Sequence, residues 1–169
     1  MNYFGLFTID FHIMLLSRRE LVVKIVKEIP GISYNELGRL TELSNGVISH
    51  YILQLMQIGE IVKFGDGRPK YFHYQVSNKD RKIIAVLRNE TNREIVKFLL
   101  KSQSSISAEI ISKEIKKSKS TVSISLKILQ KNRIVEKIIL NKKTKITSDI
   151  GYQIIGKNHL KNFFVKYNI

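Results

Sequence analysis

A cluster of lysines and serines in the second half of the chain has the composition of a phosphate-binding surface. Lys116, Lys117 and Lys119 flank Ser118, and Lys127 follows a short distance later. Serine is a favoured N-cap residue, and the dipole and unpaired N–H groups of a helix N-terminus attract phosphate oxygens. Each lysine alone could be an ordinary solvated charge. Their clustering at a helix start favours binding of a polyanion.

The residues after this helix start are candidates for contacts with base edges. A helix turns by about 100° per residue, so this segment directs a mixed polar and apolar row outward. Ile124 in that row could touch a thymine methyl group or belong to a protein interface, and both interpretations stay open. The row comprises Ser120, Ser123, Ile124, Lys127 and Lys131, and the candidate DNA contacts here are Ser120, Thr121, Ser123 and Lys127.

A similar row is predicted in the first half, on a helix whose core side is Ile48, Ile52 and Leu55. Its polar side chains can donate or accept hydrogen bonds at base edges, and its glycine would let the backbone approach closely. The alternative is that the asparagine and serine are only capping or solvated residues, and that the histidine is solvated or packed. The candidate DNA contacts are Asn45, Gly46, Ser49 and His50.

Two turn segments add basic side chains that could reach a minor groove or a DNA backbone phosphate. The first is residues 65–69, with glycines and a proline that serve the turn itself, and the second is residues 141–145. The candidate contacts are Arg68, Lys70, Lys142, Lys143 and Lys145.

The charge and composition support a polyanionic partner. The chain has 169 residues, with 29 Lys and Arg against 14 Asp and Glu, and a net charge of +15. Residues 1–76 contain 8 basic and 7 acidic residues, whereas residues 77–169 contain 21 and 7. Nucleic acid is the leading partner and an anionic membrane surface the second. The chain has no cysteine, which excludes disulfides, thiolate metal sites and thiol nucleophiles.

An internal repeat relates the two halves. Residues 17–63 align with residues 91–137 without a gap, at a constant offset of 74. Ser44/Ser118 and Ser49/Ser123 are among the identities, and the apolar positions correspond more widely. Such a repeat has to be recognised before the fold is assigned. The chain is therefore interpreted as two copies of one unit.

Each copy is predicted to contain three helices followed by a two-stranded hairpin. In the first copy, Ser33 and Glu36 form a capping box for the second helix, and Ser44 starts the third. In the second copy, Thr91 caps the first helix and the second helix ends near Lys116. The predicted strands are residues 61–64, 71–76, 133–140 and 146–154.

The fold class predicted is mainly α with small β-hairpin wings (α+β), a tandem winged helix-turn-helix. This arrangement places the third helix of each copy where it could enter a major groove. The predicted organisation is an N-terminal apolar segment (1–16), a first winged helix-turn-helix (17–76), a linker helix (77–90), a second winged helix-turn-helix (91–156) and a C-terminal helix (157–169).

Several segments resemble archaeal transcriptional regulators with two winged-helix domains, in the broad MarR/ArsR-like group. The first copy carries the resemblance in Pro30-Gly31-Ile32, Leu43–His50 and Asp66-Gly67-Arg68. The second resembles an ArsR-type helix-turn-helix in residues 89–95 and 118–123. The resemblance implies a regulator that binds double-stranded DNA. Arg133 stands where the family usually has a glycine, which is present in the first copy as Gly59, so the third helix of the second copy should end at Asn132.

Residues 1–16 are mostly apolar but contain Asp10 and His12, and they lack the basic and small-residue features of a signal peptide. A spanning helix needs about 20 apolar residues. We therefore expect a cytoplasmic, nucleoid-associated protein in which residues 1–16 form a helix or strand that packs on the body or on a second copy. A membrane-proximal segment is the less favoured alternative. A homodimer could form through residues 1–16, the linker helix or the C-terminal helix.

The residues offer little support for an enzyme. The four histidines are scattered, and the sequence has no phosphate-binding glycine loop, nucleophile elbow or metal-ligand spacing. No cofactor or metal is expected. The leading function is a DNA-binding transcriptional regulator whose second unit is the main basic anchor. The alternatives are a protein-interaction scaffold, favoured by outward Leu53 and Ile124 and by the apolar N-terminus, and a nucleoid-associated DNA packager.

Overall fold

The computed structural model describes residues 16–142 and 148–169. The chain forms two compact units, which divide between Arg81 and Lys82. The fold class agrees with the prediction: the chain is mainly helical, with small antiparallel β-hairpins in an α+β winged-helix fold. The predictions for residues 1–15, Lys143 and Lys145 fall outside the described residues.

From residue 16 to residue 77, unit 1 contains three helices and three short strands. In chain order they are α1 (Arg18–Glu28), β1 (Ile32–Ser33), α2 (Tyr34–Thr41), α3 (Asn45–Gln57), β2 (Ile61–Phe64) and β3 (Lys70–His73).

Capping boxes start the first two helices of unit 1. The Ser17 hydroxyl accepts a hydrogen bond from the backbone N–H of Glu20, and the Glu20 carboxylate accepts one from the backbone N–H of Ser17. The Ser17 hydroxyl also donates to the Glu20 Oε2 at 2.7 Å. This bond first, and then the bond from the Ser17 backbone N–H, holds the pKa of the Glu20 carboxyl below its ordinary value. Ser33 and Glu36 form the same box at α2, as predicted. Both boxes satisfy N–H groups that a first helical turn leaves unpaired.

The sheet of unit 1 has the antiparallel order β1-β3-β2. The predicted two-stranded wing lacked β1, because a two-residue strand has no alternation to detect. β1 is held by pairing of Ile32 with Tyr71 and by the Gly31 N–H, which donates to the Tyr71 carbonyl. β3 ends at His73 and not at Val76, since the Val76 N–H turns back to the His73 carbonyl.

The core of unit 1 lies between its three helices and the sheet. Burial of each large aliphatic side chain contributes about 1.5–3 kcal/mol relative to exposure. One side of α3 is therefore fixed in the core, and the opposite side is left for contacts. The fully or nearly fully buried residues of this core include Val22, Val26, Ile32, Leu37, Ile48, Leu55 and Ile61.

We expect the stability of unit 1 to depend on pH through His73. Its side chain is 4% exposed, and burial first, then the nearby Lys27, lowers its pKa below 6.5, against the opposing effect of Glu60. The unfolded chain then binds the proton more readily, so the free energy of unfolding should fall as pH decreases through the unfolded pKa of about 6.5. Urea denaturation between about pH 7.5 and 5.5 measures this fall.

The control for this prediction is His73→Gln, which removes the titrating ring. The carboxylates of Glu20 and Glu109 have pKa values below 4.5 and do not titrate in that window. An identical pH dependence in the wild type and His73→Gln would contradict the assignment.

The remaining elements include α4, which spans the division between the units, and the elements of unit 2. They are α4 (Asn78–Leu87), α5 (Glu90–Lys101), α6 (Ala108–Glu114), α7 (Lys119–Lys131), β4 (Val135–Lys142), β5 (Ser148–Ile154) and α8 (Lys157–Tyr167).

The start of α5 differs from the prediction. Asn89, not Thr91, is its N-cap, and the Asn89 Oδ1 accepts a hydrogen bond from the Asn92 N–H at 3.0 Å. Asparagine is a better N-cap than threonine. The buried Asn92 donates through Nδ2 to the Val86 carbonyl, also at 3.0 Å. The junction between α4 and α5 is therefore fixed by side-chain hydrogen bonds.

Two left-handed residues shift the predicted boundaries in unit 2. α6 ends at Glu114 and not near Lys116, because Lys116 has φ +53°. β4 begins at Val135 and not at Arg133, because Arg133 has φ +55°. α7 ends at Lys131 with Asn132 as its C-cap, which agrees with the predicted stop before Arg133.

Replacing Arg133 by glycine should stabilise the protein. A non-glycine residue in the left-handed region costs about 1–2 kcal/mol, and glycine removes this strain. Glycine also raises the conformational entropy of the unfolded chain, which offsets part of the stabilisation. The net expected gain in unfolding free energy is about 1 kcal/mol, measured by urea denaturation. The reciprocal control is Gly59→Ala: Gly59 has φ +74° and open space around its Cβ position, so alanine should cost about 1 kcal/mol without a clash. If neither variant changes the free energy of unfolding, the left-handed backbone at Arg133 carries no strain.

Candidate nucleic-acid interface

The turn before α7 is locked by a reciprocal pair of hydrogen bonds. The Lys117 N–H donates to the Ser112 carbonyl at 3.2 Å, and the Ser112 hydroxyl donates to the Lys117 carbonyl at 2.7 Å. Ser112 is buried, and Lys116 turns the chain in its left-handed conformation. The backbone that carries Lys116 and Lys117 is therefore held in one conformation against α6.

The first turn of α7 is closed by hydroxyl groups. Ser118 is the N-cap, and its Oγ accepts a hydrogen bond from the Thr121 N–H at 3.1 Å. The Ser118 Oγ also lies 2.8 Å from the Ser120 Oγ and 2.8 Å from the Thr121 Oγ1. Both predicted contact residues, Ser120 and Thr121, are exposed. Their hydroxyl groups are oriented by the cap before any ligand arrives.

One side of α7 is buried and the other is open. Val122, Leu126 and Leu129 pack inward, together with Ser125. The opposite side contains the predicted outward row, and all of its members are exposed. We call this row the α7 face: Ser120, Ser123, Ile124, Lys127 and Lys131.

Two of the lysines at the start of α7 have carboxylate neighbours. The Lys119 Nζ lies 3.1 Å from the Glu109 Oε1, with side chains 73% and 55% exposed. The hydrogen bond to Lys119, its charge and the charge of Lys113 lower the pKa of Glu109. The Lys117 Nζ lies 4.0 Å from the Glu94 Oε2, beyond hydrogen-bond distance. Exposed pairs of this kind contribute at most about 1 kcal/mol, so a phosphate could displace them.

Lys116 and Lys127 are exposed. Within residues 16–142 and 148–169, no ion pair with a carboxylate is formed by either. Together with Lys119, they bring positive charge to the turn before α7 and to the first and third turns of the helix. The structure therefore places the lysines predicted from the sequence on one helix and the turn before it.

The first strand of the unit 2 hairpin runs two residues further toward the tip than predicted, over Val135–Lys142 instead of residues 133–140. Lys142 belongs to β4 and pairs with Ser148 on β5, instead of lying in the turn. The pairing register shifts between Ile139 and Asn141. A bridge between Ile106 and Tyr152 adds the counterpart of β1 in unit 1.

Unit 1 positions α3 differently. Its N-cap, Ser44, makes no side-chain hydrogen bond, and the Tyr34 hydroxyl instead donates to the Asn45 carbonyl at 2.7 Å. The same hydroxyl lies 2.9 Å from the Ser49 Oγ. Asn45, Gly46 and His50 are exposed, whereas Ser49 is half-buried. Sequence reasoning missed Tyr34, because nothing in its spacing indicates a contact with the start of α3.

The wing residues of unit 1 border an open depression of about 630 Å³. Arg68 is exposed in the turn between β2 and β3. Lys70 is half-buried, and its Nζ lies 4.0 Å from the Glu36 Oε2. Lys70 is thus directed toward the first turn of α2.

The two units differ in charge at equivalent positions, 74 residues apart. Unit 1 has an acidic, an amide and two leucine side chains where unit 2 has lysines. Like Lys116, its counterpart Glu42 has a left-handed backbone, with φ +55°. The pairs are Glu42/Lys116, Leu43/Lys117, Asn45/Lys119 and Leu53/Lys127.

Neither a metal centre nor a membrane span is found in the described part of the chain. No group of three or more His, Cys, Asp or Glu side chains there could hold a metal ion. The helices between residues 16 and 142 and between 148 and 169 are too short or too polar to cross a bilayer.

Comparisons with known proteins give one family and distant structural neighbours. A possible transcriptional regulator from Methanosarcina mazei Go1 is 20% identical, with 65% of this chain and 86% of that chain covered and a TM-score of 0.41. The DIP2311 protein from Corynebacterium diphtheriae is 12% identical, with a TM-score of 0.30. The match covers 82% of this chain and 26% of that chain. No curated protein matches. Residues 89–137, from the N-cap of α5 to the start of β4, match the helix-turn-helix family described as bacterial regulatory protein, arsR family.

Proposed function

We propose that this protein is a transcriptional regulator that binds double-stranded DNA through two winged helix-turn-helix units. The observation that carries the proposal is the exposed α7 face, with its lysines and hydroxyl groups, in the ArsR-family helix-turn-helix domain. In a helix-turn-helix, the second helix of the motif enters the major groove with its N-terminal residues at base edges. Lysines contact phosphates and fix the register, and hydroxyl groups reach bases.

Unit 2 is the main basic anchor in this proposal. At equivalent positions it has lysines where unit 1 has Glu42, Leu43, Asn45 and Leu53. Phosphate neutralisation supplies most of the sequence-independent affinity for DNA. The predicted phosphate and base contacts are Lys116, Lys117, Lys119, Ser120, Thr121, Ser123 and Lys127.

Unit 1 supplies base contacts with fewer phosphate contacts. α3 contains no charged residue, so the exposed Asn45, Gly46 and His50, with Ser49 beside them, would contact base edges. Arg68 is exposed at the wing and would contact the backbone or the minor groove. The remaining wing contacts of the proposal are Lys70 in unit 1 and Lys142, Lys143 and Lys145 in unit 2.

A homodimer and an archaeal source belong to the same proposal. The dimer would form through residues 1–16, 77–90 or 157–169. In the last of these, Val165 on α8 is 84% exposed. The regulator would be associated with the nucleoid in the cytoplasm. Sedimentation of the free protein and of its complex with DNA measures the number of chains.

Selection from fragmented genomic DNA of the source organism tests the proposed function. A regulator should enrich a small set of sequences and bind them at least about 10³-fold more tightly than random duplex. Enrichment without a shared sequence would indicate the DNA packager instead. Absence of duplex binding at low salt would overturn the proposal.

A second candidate function is a protein-interaction scaffold, since the winged-helix fold alone does not decide function. The exposed side of α3 favours it. Leu53 is 59% exposed on a helix without charge, and Ile58 is 60% exposed just beyond its end. Leu53→Ser distinguishes the two functions, because a scaffold would lose its protein partner while a DNA-binding protein would keep most of its affinity for duplex.

A further inference from the structure

Ile124 is the most exposed large apolar residue of α7. Its side chain is 61% exposed, compared with 40% for Ile128 one turn later. Val122, Leu126 and Leu129 already fill the core side of the helix. Packing within unit 2 therefore does not account for an isoleucine at this position.

The geometry of α7 places Ile124 at the centre of its open side. It is the sixth residue of the helix, in the second turn. At about 100° per residue, it points away from Val122 and Leu129. Ser120 lies one turn before it and Lys127 one turn after it, both exposed. When a helix enters the major groove with its N-terminal half, these are the positions closest to the base edges.

The chemistry of the surrounding side chains leaves base discrimination to Ile124. α7 contains no Arg, Asn, Asp or Glu, side chains that pair selectively with guanine, adenine or cytosine, and its one glutamine, Gln130, is half-buried in the last turn. Serine and threonine hydroxyl groups accept several bases, and Lys127 can approach guanine. A thymine carries a C5 methyl group in the major groove, and an apolar side chain is what recognises it.

Neither helix propensity nor a protein interface accounts well for an exposed isoleucine at this position. A β-branched side chain does not favour a helix, so helix propensity gives no reason for it. The cores of protein interfaces are depleted in charged residues. Ile124 has Ser120 one turn before it and Lys127 and the less exposed Ile128 one turn after it, and Lys131 lies in the same row. A cationic surround fits a polyanion better than an apolar protein partner.

We propose that Ile124 contacts the C5 methyl group of a thymine in the major groove and thereby sets a preference for A·T at one position of the bound sequence. This inference rests on the proposed function. It adds a specificity-determining residue to a surface whose lysines bind phosphate irrespective of sequence.

The test replaces thymine by deoxyuridine, which removes the C5 methyl group and keeps the base pair and the minor groove. The probe is the duplex that the wild-type protein enriches most strongly from a random pool, with each thymine replaced in turn. We expect at least one replacement to weaken wild-type binding by about fourfold, the value of one buried methyl group. Ile124→Ala should bind the thymine and deoxyuridine versions of that duplex equally.

The matched control is Ile128→Ala, which removes an apolar side chain from the same helix one turn further from its start. This variant should retain the wild-type sensitivity to deoxyuridine. The inference is overturned when no thymine replacement affects the wild type, or when Ile124→Ala remains as sensitive as the wild type. A change of oligomeric state in Ile124→Ala with unchanged sensitivity would also overturn it and indicate a protein interface. If the wild-type protein binds no duplex at all, the proposed function fails together with this inference.

Discussion

Reversal of four lysines in unit 2 should weaken duplex binding by about 10³-fold at about 0.1 M salt. Each phosphate that a protein neutralises contributes roughly 0.9 to the slope of log affinity against log salt, so four lost contacts remove three or more orders of magnitude. The reversed lysines also add four negative charges next to the phosphates. The variant is Lys116→Glu, Lys117→Glu, Lys119→Glu and Lys127→Glu combined.

The control for this variant changes the net charge by the same amount elsewhere. Four exposed lysines outside the α7 face serve this purpose, and their reversal should reduce affinity by about tenfold or less, through the long-range field alone. Fluorescence anisotropy with a labelled duplex measures both, and circular dichroism checks the fold. Similar affinities for the two variants would show that the four lysines at and near the start of α7 do not contact DNA. The control residues are Lys79, Lys82, Lys101 and Lys161.

The affinity of the wild-type protein for duplex should fall by about 10³–10⁵ between roughly 50 and 200 mM salt. This range corresponds to six to ten phosphate contacts, each with release of bound counterions. The lysines and wing residues of the proposal can supply that number. Titration with NaCl at constant pH gives the slope directly.

The same salt titration can be carried out on the variant with four reversed lysines. Loss of four phosphate contacts should lower the slope by about 3–4. A slope that is nearly flat for the wild type, or equal in the wild type and the variant, would contradict the electrostatic model of binding. The deoxyuridine effect at Ile124 should persist at every salt concentration, because contact with a methyl group releases no counterion.

The unequal charge of the units gives them different tasks in the proposed complex. Unit 2 would hold the duplex by phosphates, and the uncharged α3 of unit 1 would add contacts that depend little on salt. Such a division matches the sequence, in which residues 77–169 contain 21 of the 29 basic residues. It also means that variants in α3 should change sequence preference more than the salt slope.

Local signals in the sequence were enough for most elements. Helical periodicity and capping residues predicted α1, α2, α3 and α7, because a helix start and its buried stripe depend on residues close together in the chain. The capping box at Ser33 agrees with the structure, and the predicted C-terminal segment 157–169 forms a helix over Lys157–Tyr167. The outward row on α7 follows from the same periodicity.

The elements that the sequence missed depend on distant partners. β1 exists because Ile32 pairs with Tyr71, and β3 ends at His73 because the chain turns there. The Tyr34 hydroxyl reaches Asn45 and Ser49 only after α2 has packed beside α3. Spacing along the chain carries no information about such contacts.

The sequence by itself therefore determined the composition of the candidate interface: its charge, its hydroxyl groups and their helical spacing. Only the tertiary structure decided which of these groups are open and which have partners. Lys119 meets Glu109, and Ser112 locks the turn at Lys117, because α6 packs against α7. The partners of these groups are far apart in sequence and meet only when the helices pack. Local propensity therefore does not predict which charges and donors are paired.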